Sequence, residues 1–198
     1  MKHLIIAAGL TILAVAAVAQ GSGSKTGWHV SVAAGLLNGN TRTGASVTGK
    51  IEKVWKKQWS LGLGSGFDHY YFRSVPVFAE VQRYLGKEDK GLFFYGSAGL
   101  NIPWPTEEQR WYRQGNSWGW GTTTQPGTFS TGAWTDLGLG YGFKGKKGHG
   151  MFLRAGHSLK TMGHRYTEQV WNGTGSVQAT RDIDYLFGRV SIQAGFRF

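Results

Sequence analysis

From residue 28 onward the chain alternates apolar and polar side chains with a period of two, interrupted at intervals by clusters of Gly, Asn and Lys. Period two sends successive side chains to opposite faces of a strand, whereas a helix repeats roughly every 3.6 residues. Over residues 182–198, Leu186, Gly188, Val190, Ile192, Ala194, Phe196 and Phe198 share one face without a charge. Phe187, Arg189, Ser191, Gln193, Gly195 and Arg197 share the other.

The same alternation predicts seven earlier strands, for eight in all. Trp28, Val30, Val32, Ala34 and Leu36 form an apolar face that ends at Asn38-Gly39-Asn40. Ala45, Val47, Gly49 and Ile51 form the next, opposite Ser46, Thr48, Lys50 and Glu52, up to Lys56-Lys57. Trp59, Leu61, Leu63, Ser65 and Phe67 oppose Ser60, Gly62, Gly64, Gly66 and Asp68, with residues 69–72 running on toward a loop. Val75, Val77, Ala79 and Val81 oppose Pro76, Phe78, Glu80 and Gln82, with Pro76 near the strand start, where its missing donor costs least. Phe94, Gly96, Ala98, Leu100 and Ile102 make the fifth face, after which residues 103–130 lose the period and read as the longest loop. Thr135, Leu137, Leu139, Tyr141 and Phe143 oppose Trp134, Asp136, Gly138, Gly140 and Gly142. Met151, Leu153, Ala155 and Leu159 oppose Phe152, Arg154, Gly156, Ser158 and Lys160, and residues 161–181 read as a second polar loop.

What the apolar faces meet depends on the front of the chain. Met1-Lys2-His3 is a short basic start, residues 4–19 are almost wholly apolar, and Ala17-Val18-Ala19 before Gln20 supplies a small-residue cleavage site. Residues 1–19 therefore read as a cleavable signal peptide, leaving 20–198 as one exported domain. No later run is long and apolar enough for a spanning helix, so a membrane protein of this sequence closes its strands into a barrel. Arg or Lys at mid-depth on a lipid face costs about 2–4 kcal/mol, and the eight central apolar faces contain neither. Short connections at 56–57, 86–91 and 144–150 alternate with the others, two of them long, as periplasmic turns alternate with extracellular loops. The expected fold is all-β, an eight-stranded antiparallel up-and-down transmembrane β-barrel in the outer membrane, with both termini periplasmic. A soluble lipocalin-like barrel would instead turn its apolar residues inward.

Composition narrows the chemistry. The absence of Cys excludes disulfides and thiolate metal sites. Gly 32 and 14% aromatics suit thin inward faces and interfacial girdles. A net charge of +11 raises nucleic acid as a partner, but the basic residues are scattered over short turns and strand faces without a stripe or motif, so none is expected. The six His lie in different segments without carboxylates at ligand spacing, so no metal or cofactor site is expected. Gly138-Leu139-Gly140-Tyr141-Gly142 reads as a strand with a small inward face and not as a phosphate loop.

The inward parity receives Lys50, Glu52, Asp68, Glu80, Asp136, Arg154, Lys160, Arg189 and Arg197, with Phe78, Phe93, Tyr95, Trp134 and Phe187. An eight-strand barrel is just wide enough for side chains to fill it, so these predict an ion-paired plug. Its polar network is expected to contain Lys50, Glu52, Glu80, Arg154 and Arg189, with Glu52 or Glu80 opposite Arg154 or Arg189. The competing expectation is ion selectivity through a narrow, porin-like channel. In the long loop, Trp104, Trp111, Tyr112, Trp118 and Trp120 stand among Glu107, Glu108, Arg110 and Arg113, a composition suited to contacting a glycan, a lipid headgroup or a protein. The same rings could instead belong to an aromatic girdle or fold over the barrel mouth. Phe198, an aromatic closing an alternating strand, resembles the signal read by barrel assembly machinery. Asn172-Gly173-Thr174 matches a glycosylation sequon.

Residues 25–198, and within them Ser74-Val75-Pro76-Val77-Phe78-Ala79-Glu80-Val81-Gln82-Arg83-Tyr84-Leu85, resemble the small OmpA/OmpX-like outer-membrane β-barrel proteins. That group includes adhesins, bare scaffolds and lipid-modifying enzymes, so the resemblance implies a fold more than an activity. A lipid A deacylase of this kind would place a His and a Ser two apart on one outward strand end beside a carboxylate. Here His157 and Ser158 are adjacent, hence on opposite faces, and Glu168 follows later. His164 would be the candidate for an acyltransferase loop histidine. The expectation is a monomeric, non-enzymatic barrel with a structural or surface-interaction role through its long loops. Its expected partners are outer-membrane lipid including lipopolysaccharide and the barrel assembly machinery, with a surface ligand that the sequence does not identify. Val190→Arg is expected to block assembly and Ser191→Arg to be tolerated.

Overall fold

A strand with one apolar and one polar face satisfies its backbone only through neighbours on both edges, and this chain supplies them by closing on itself. The computed structural model describes residues 27–40, 42–55, 58–86, 90–111, 122–144 and 149–198. The stretch read as a signal peptide lies outside these residues, as do Tyr112, Trp118 and Trp120. The elements in chain order are β1 (Trp28–Asn38), β2 (Thr43–Trp55), β3 (Trp59–Tyr70), β4 (Phe72–Tyr84), β5 (Gly91–Pro103), α1 (Glu107–Arg110), β6 (Thr122–Ser130), β7 (Gly132–Lys144), β8 (Gly150–Trp171) and β9 (Ser176–Arg197). Consecutive strands pair antiparallel, β5 with β7, and β9 returns to β1 over Ser31↔Arg197 to Asn38↔Val190, which closes a ring of 8 strands. Strand β6 stands outside the ring, paired to the far part of β8. Among the described residues no helix is long and apolar enough to cross a membrane.

The parity of the sequence becomes the inside and outside of the ring. Leu63 and Leu186 are 70% exposed and Ile192 62%, in a continuous outward belt with Leu36, Leu61, Leu100, Leu137 and Leu153. An apolar surface encircling the molecule is far larger than water tolerates and is the surface that bilayer hydrocarbon covers. At the rim carrying the chain ends the belt turns aromatic, with Trp28, Trp55, Trp59, Phe94, Tyr141, Phe143 and Phe196 exposed. Inside, large rings are matched with glycines across the ladder: Phe93 pairs with Gly140 and Phe152 with Gly195, where an added Cβ would overlap the Phe ring. These glycines are the space the aromatics occupy.

Three segments differ from the sequence expectation. Residues 161–181 are not a loop, because β8 and β9 are each 22 residues long and pair from Gly150↔Arg197 to Trp171↔Ser176. The hairpin turns at Asn172, whose Oδ1 accepts from the amides of Thr174 (3.1 Å) and Gly175 (3.0 Å), with Gly173 at φ 93°. The sequon residues thus build this turn. Beyond the last β7 partner, residues 161–171 and 176–186 project about 35 Å along the strands. Out there the outward face meets water in place of lipid, so nothing selects apolar residues on it and the alternation fades from the sequence, although the inner face stays buried. Residues 103–130 likewise contain α1, with a Thr106–Gln109 capping box, and β6. Finally, where residues 69–72 were expected to run on toward a loop, β3 and β4 join by a single-residue turn at Tyr71, φ 62°. A non-glycine residue in that region is strained, and Tyr71 is held there by its ring stacked on Phe187 at 5.5 Å and by Gln109 Nε2 donating to its carbonyl at 2.9 Å.

Candidate functional site: the lumen and the projecting sheet

Inward parity brings nine charged side chains from β2, β3, β4, β7, β8 and β9 into the lumen: Lys50, Glu52, Asp68, Glu80, Asp136, Arg154, Lys160, Arg189 and Arg197, all buried. Each acid then takes the cations or donors that inter-strand register sets beside it, and two carboxylate-centred networks result.

Toward the chain ends, Glu52 accepts from Ser31 Oγ (2.7 Å), Ser60 Oγ (2.5 Å), Lys50 Nζ (3.0 Å) and Arg197 Nε (2.8 Å). Glu80 accepts from Lys50, from Gln82 Nε2 (2.8 Å), from Ser97 Oγ (2.9 Å) and from Arg154 Nη1 (2.7 Å). Arg154 also donates through Nε (2.8 Å) and Nη2 (2.5 Å) to Gln193 Oε1, and its guanidinium lies 4.8 Å over Tyr95. Arg197 Nη2 reaches Gln82 Oε1 at 3.0 Å, joining the two carboxylate centres. Toward the hairpin, Asp68 is bound by Arg189, by Lys160 Nζ (3.3 Å) and by the amide of Tyr70 (3.0 Å). Lys160 further donates to the carbonyls of Tyr70 (3.1 Å) and Phe72 (3.0 Å) and to Ser74 Oγ (3.2 Å). Asp136 lies on its own, accepting from Ser191 Oγ (3.0 Å) and Tyr95 Oη (3.3 Å).

Of the five polar residues singled out from the sequence, Lys50, Glu52, Glu80 and Arg154 fall in one network and Arg189 in the other. Glu80 meets Arg154, whereas Glu52 takes Lys50 and Arg197, and Arg189 takes Asp68 in place of a glutamate. Asp68, Lys160, Arg197, Gln82 and Gln193 were legible as inward-facing by parity, but their central part in the networks follows from register alone. Phe198 continues the β9–β1 ladder by donating its amide to the Val30 carbonyl at 2.8 Å.

Of the loop aromatics, Trp104 is half-buried, edge-on to Phe67 at 5.7 Å with Arg73 at 5.4 Å over its ring, which makes it part of the belt at the hairpin rim. Trp111 caps α1 and is 47% exposed. His157 faces outward and is exposed while Ser158 faces inward and accepts from Arg189 Nη2 at 2.7 Å, so the two share no site. Glu168 pairs with Arg181 at 3.0 Å.

Above the lumen the hairpin and β6 form a three-stranded sheet whose inner face is aromatic. Phe72, Met162 and Tyr185 form a buried cluster backed by Tyr71, Phe129, Ile183 and Phe187. His164, 2% exposed, stacks on Phe129 at 4.1 Å and 4°, and neither ring nitrogen has a hydrogen-bond partner. His164 lies on the projecting part of β8, and burial lowers its pKa from the ordinary 6.5. A folded-state pKa below the free value leaves stability intact above about pH 6.5 and removes it as pH falls below that, because the unfolded chain takes up the proton first. Protection factors of the β6 amides, measured by hydrogen exchange, are expected to fall from pH 7.5 to pH 5.5, and His164→Phe to remove the difference. Equal protection at both pH values would contradict this.

No family model matches this chain, and no curated protein matches it in sequence. Solved structures do match in fold. The outer membrane protein OprG from Pseudomonas aeruginosa superposes with a TM-score of 0.51 at 11% identity, covering 89% of this chain and 98% of that one. The N-terminal β-barrel domain of Pseudomonas aeruginosa OprF gives a TM-score of 0.46 at 17% identity, covering 86% and 97%, and the outer membrane protein AlkL gives 0.39 at 10%, covering 86% and 89%. The fold comparison rests on the first of these. With its closed ring, apolar outer belt and filled polar interior, the chain has the fold of the small outer-membrane β-barrel proteins.

Proposed function

We propose that the protein is a non-enzymatic outer-membrane barrel whose lumen is a permanent plug and whose working surface is the sheet of β6 with the projecting parts of β8 and β9. The observation that carries this reading is the cross-lumen pairing. Arg154 of β8 holds Glu80 of β4, and Arg189 of β9 with Lys160 of β8 holds Asp68 of β3, so side chains tie opposite walls together at two heights. A hydrated pore would keep its charges apart along the wall, whereas here Glu52, Glu80 and Asp68 are buried and each is held by two cations. The opposite-face placement of His157 and Ser158 supports a role without acyl chemistry, which needs a nucleophile and base in hydrogen-bond reach. The apolar belt supports outer-membrane lipid including lipopolysaccharide as its surroundings, the alternating last strand ending at Phe198 supports handling by the barrel assembly machinery, and the short turns support a periplasmic position for the rim that carries them. A surface ligand would then meet the projecting sheet and the loop that carries Trp111.

The purified protein in planar bilayers is expected to show no steady single-channel steps, and such steps would favour the narrow channel instead. Lipid A from cells expressing the protein is expected to keep its mass. A loss or gain of an acyl chain would identify an enzyme.

A further inference from the structure

The outward face changes chemistry in one sector of the rim that carries the chain ends. On β1 to β4 this rim presents three tryptophans and two cations together: Trp28 pairs with Lys53 across β1–β2, Trp55 with Trp59 across β2–β3, and Trp59 with Arg83 across β3–β4. Lys53 Nζ lies 5.6 Å over the Trp28 ring and the Arg83 guanidinium 5.2 Å over Trp59. Both cations are exposed, and neither makes a hydrogen bond or an ion pair to an acid among the described residues. Among the described residues, the remaining outward strand positions of this rim on β5, β7, β8 and β9 are Leu92, Phe94, Tyr141, Phe143, Met151 and Phe196, none of them a cation, with exposed Lys90 just ahead of β5. Among the described strand positions, the pairing of cations with tryptophan rings on the outward face of this rim belongs to this sector.

We propose that this sector is a docking site for an anionic phospholipid, its phosphate held between Lys53 and Arg83 beside the Trp55 and Trp59 rings and its upper acyl chains laid inward against Leu61, Leu63 and Val81. The Cα atoms of the two cations are separated by two strand spacings and about two residues along the strand, roughly 12 Å, which two long basic side chains span around one phosphate. Depth selects the occupant. The cations stand where the apolar belt ends, at the level of headgroups, and the tryptophans are the amphipathic rings that favour that level. The outward positions of the neighbouring strands hold no acid that would neutralise the pair: Val30 and Val32 on β1, Leu61 and Leu63 on β3, and Val81 on β4.

This inference rests on the membrane-barrel reading and has its own way of failing. The full chain would be folded into vesicles of phosphatidylglycerol and phosphatidylcholine in equal parts, extracted in mild detergent, and weighed with its bound lipid by native mass spectrometry. Phosphatidylglycerol is expected to be retained over phosphatidylcholine, with a preference of about 5-fold per cation, and so about 25-fold for both, weakening in high salt. Lys53→Gln/Arg83→Gln is expected to abolish the preference, while Arg165→Gln, which removes one positive charge outside the belt, is expected to leave it. Equal retention of the two lipids by the wild type, or an unchanged preference in the double variant, would overturn the site. Heat-modifiable gel migration of the same samples separates the two failures: a folded wild type without lipid preference sinks only this inference, whereas a chain that never becomes heat-modifiable sinks the barrel reading.

Discussion

Arg154→Ala is expected to lower the unfolding free energy of the folded barrel by about 3–5 kcal/mol, the range for breaking a buried ion pair by removing one partner. Arg154 is 4% exposed and donates to Glu80, Gln193 and Thr48, so its loss strips one carboxylate of its cross-lumen cation and leaves Gln193 Oε1 unpaired in a dry interior. Alanine also opens a cavity beside Tyr95 and Phe152, whose rings the guanidinium covers. Reversible urea unfolding in lipid vesicles, followed by tryptophan fluorescence, reads the effect. Replacing both partners, as Arg154→Met with Glu80→Gln, is expected to recover most of the loss. The attraction within a buried pair is largely offset by desolvation, and Lys50 keeps Glu52 as its partner. A loss below about 1 kcal/mol for the single variant would show the lumen to be wet enough to screen the pair.

Ile192→Arg is expected to destabilise by about 2–4 kcal/mol or to prevent insertion, while Trp55→Arg costs about 0–1 kcal/mol, because the penalty for a cation on the lipid face falls with distance from mid-depth. Ile192 pairs with Ala155 near the centre of the β8 segment that belongs to the ring, whereas Trp55 ends β2 at the rim. Heat-modifiable migration together with urea unfolding distinguishes failed insertion from reduced stability, and equal effects at the two sites would reject the lipid-face assignment. The neighbouring pair considered from the sequence behaves differently once packing is known. Val190 lies nearer the hairpin rim, beside Asn38, so an arginine there is less severe than at Ile192. Ser191, on the inward parity, is fully buried and donates to Asp136. An arginine in its place has no room, so Ser191→Arg is harmful through overpacking and not tolerated.

The legible part of this protein is the part whose environment differs between its two faces. Leu61 and Leu63 against Ser60 and Gly62 declare an inside and an outside because lipid rejects charge and the lumen accepts it. In the hairpin the same parity persists physically, with Met162, His164 and Tyr166 inward, yet Arg165 and Asp182 outward form an exposed pair at 2.6 Å in water. A polar outward face is permitted there, so residues 161–181 read as a loop. The turn at Tyr71 was hidden for another reason. Its left-handed backbone is held by Phe187 and Gln109, from segments distant in the chain, and no local signal marks it.

The eight strands of the ring, though not the ninth strand β6, and the face each of their side chains takes were determined by the sequence alone, because period two is local and each face answers to a different solvent. Which carboxylate meets which cation was decided only by the tertiary structure. Parity puts Glu52, Glu80 and Asp68 in the lumen, but the ring's register sets their heights, and so joins Glu80 to Arg154, Asp68 to Arg189 and Glu52 to Arg197. The long β8–β9 hairpin was also a tertiary decision, since above the bilayer only strand pairing and the aromatic cluster beneath it distinguish a strand from a loop.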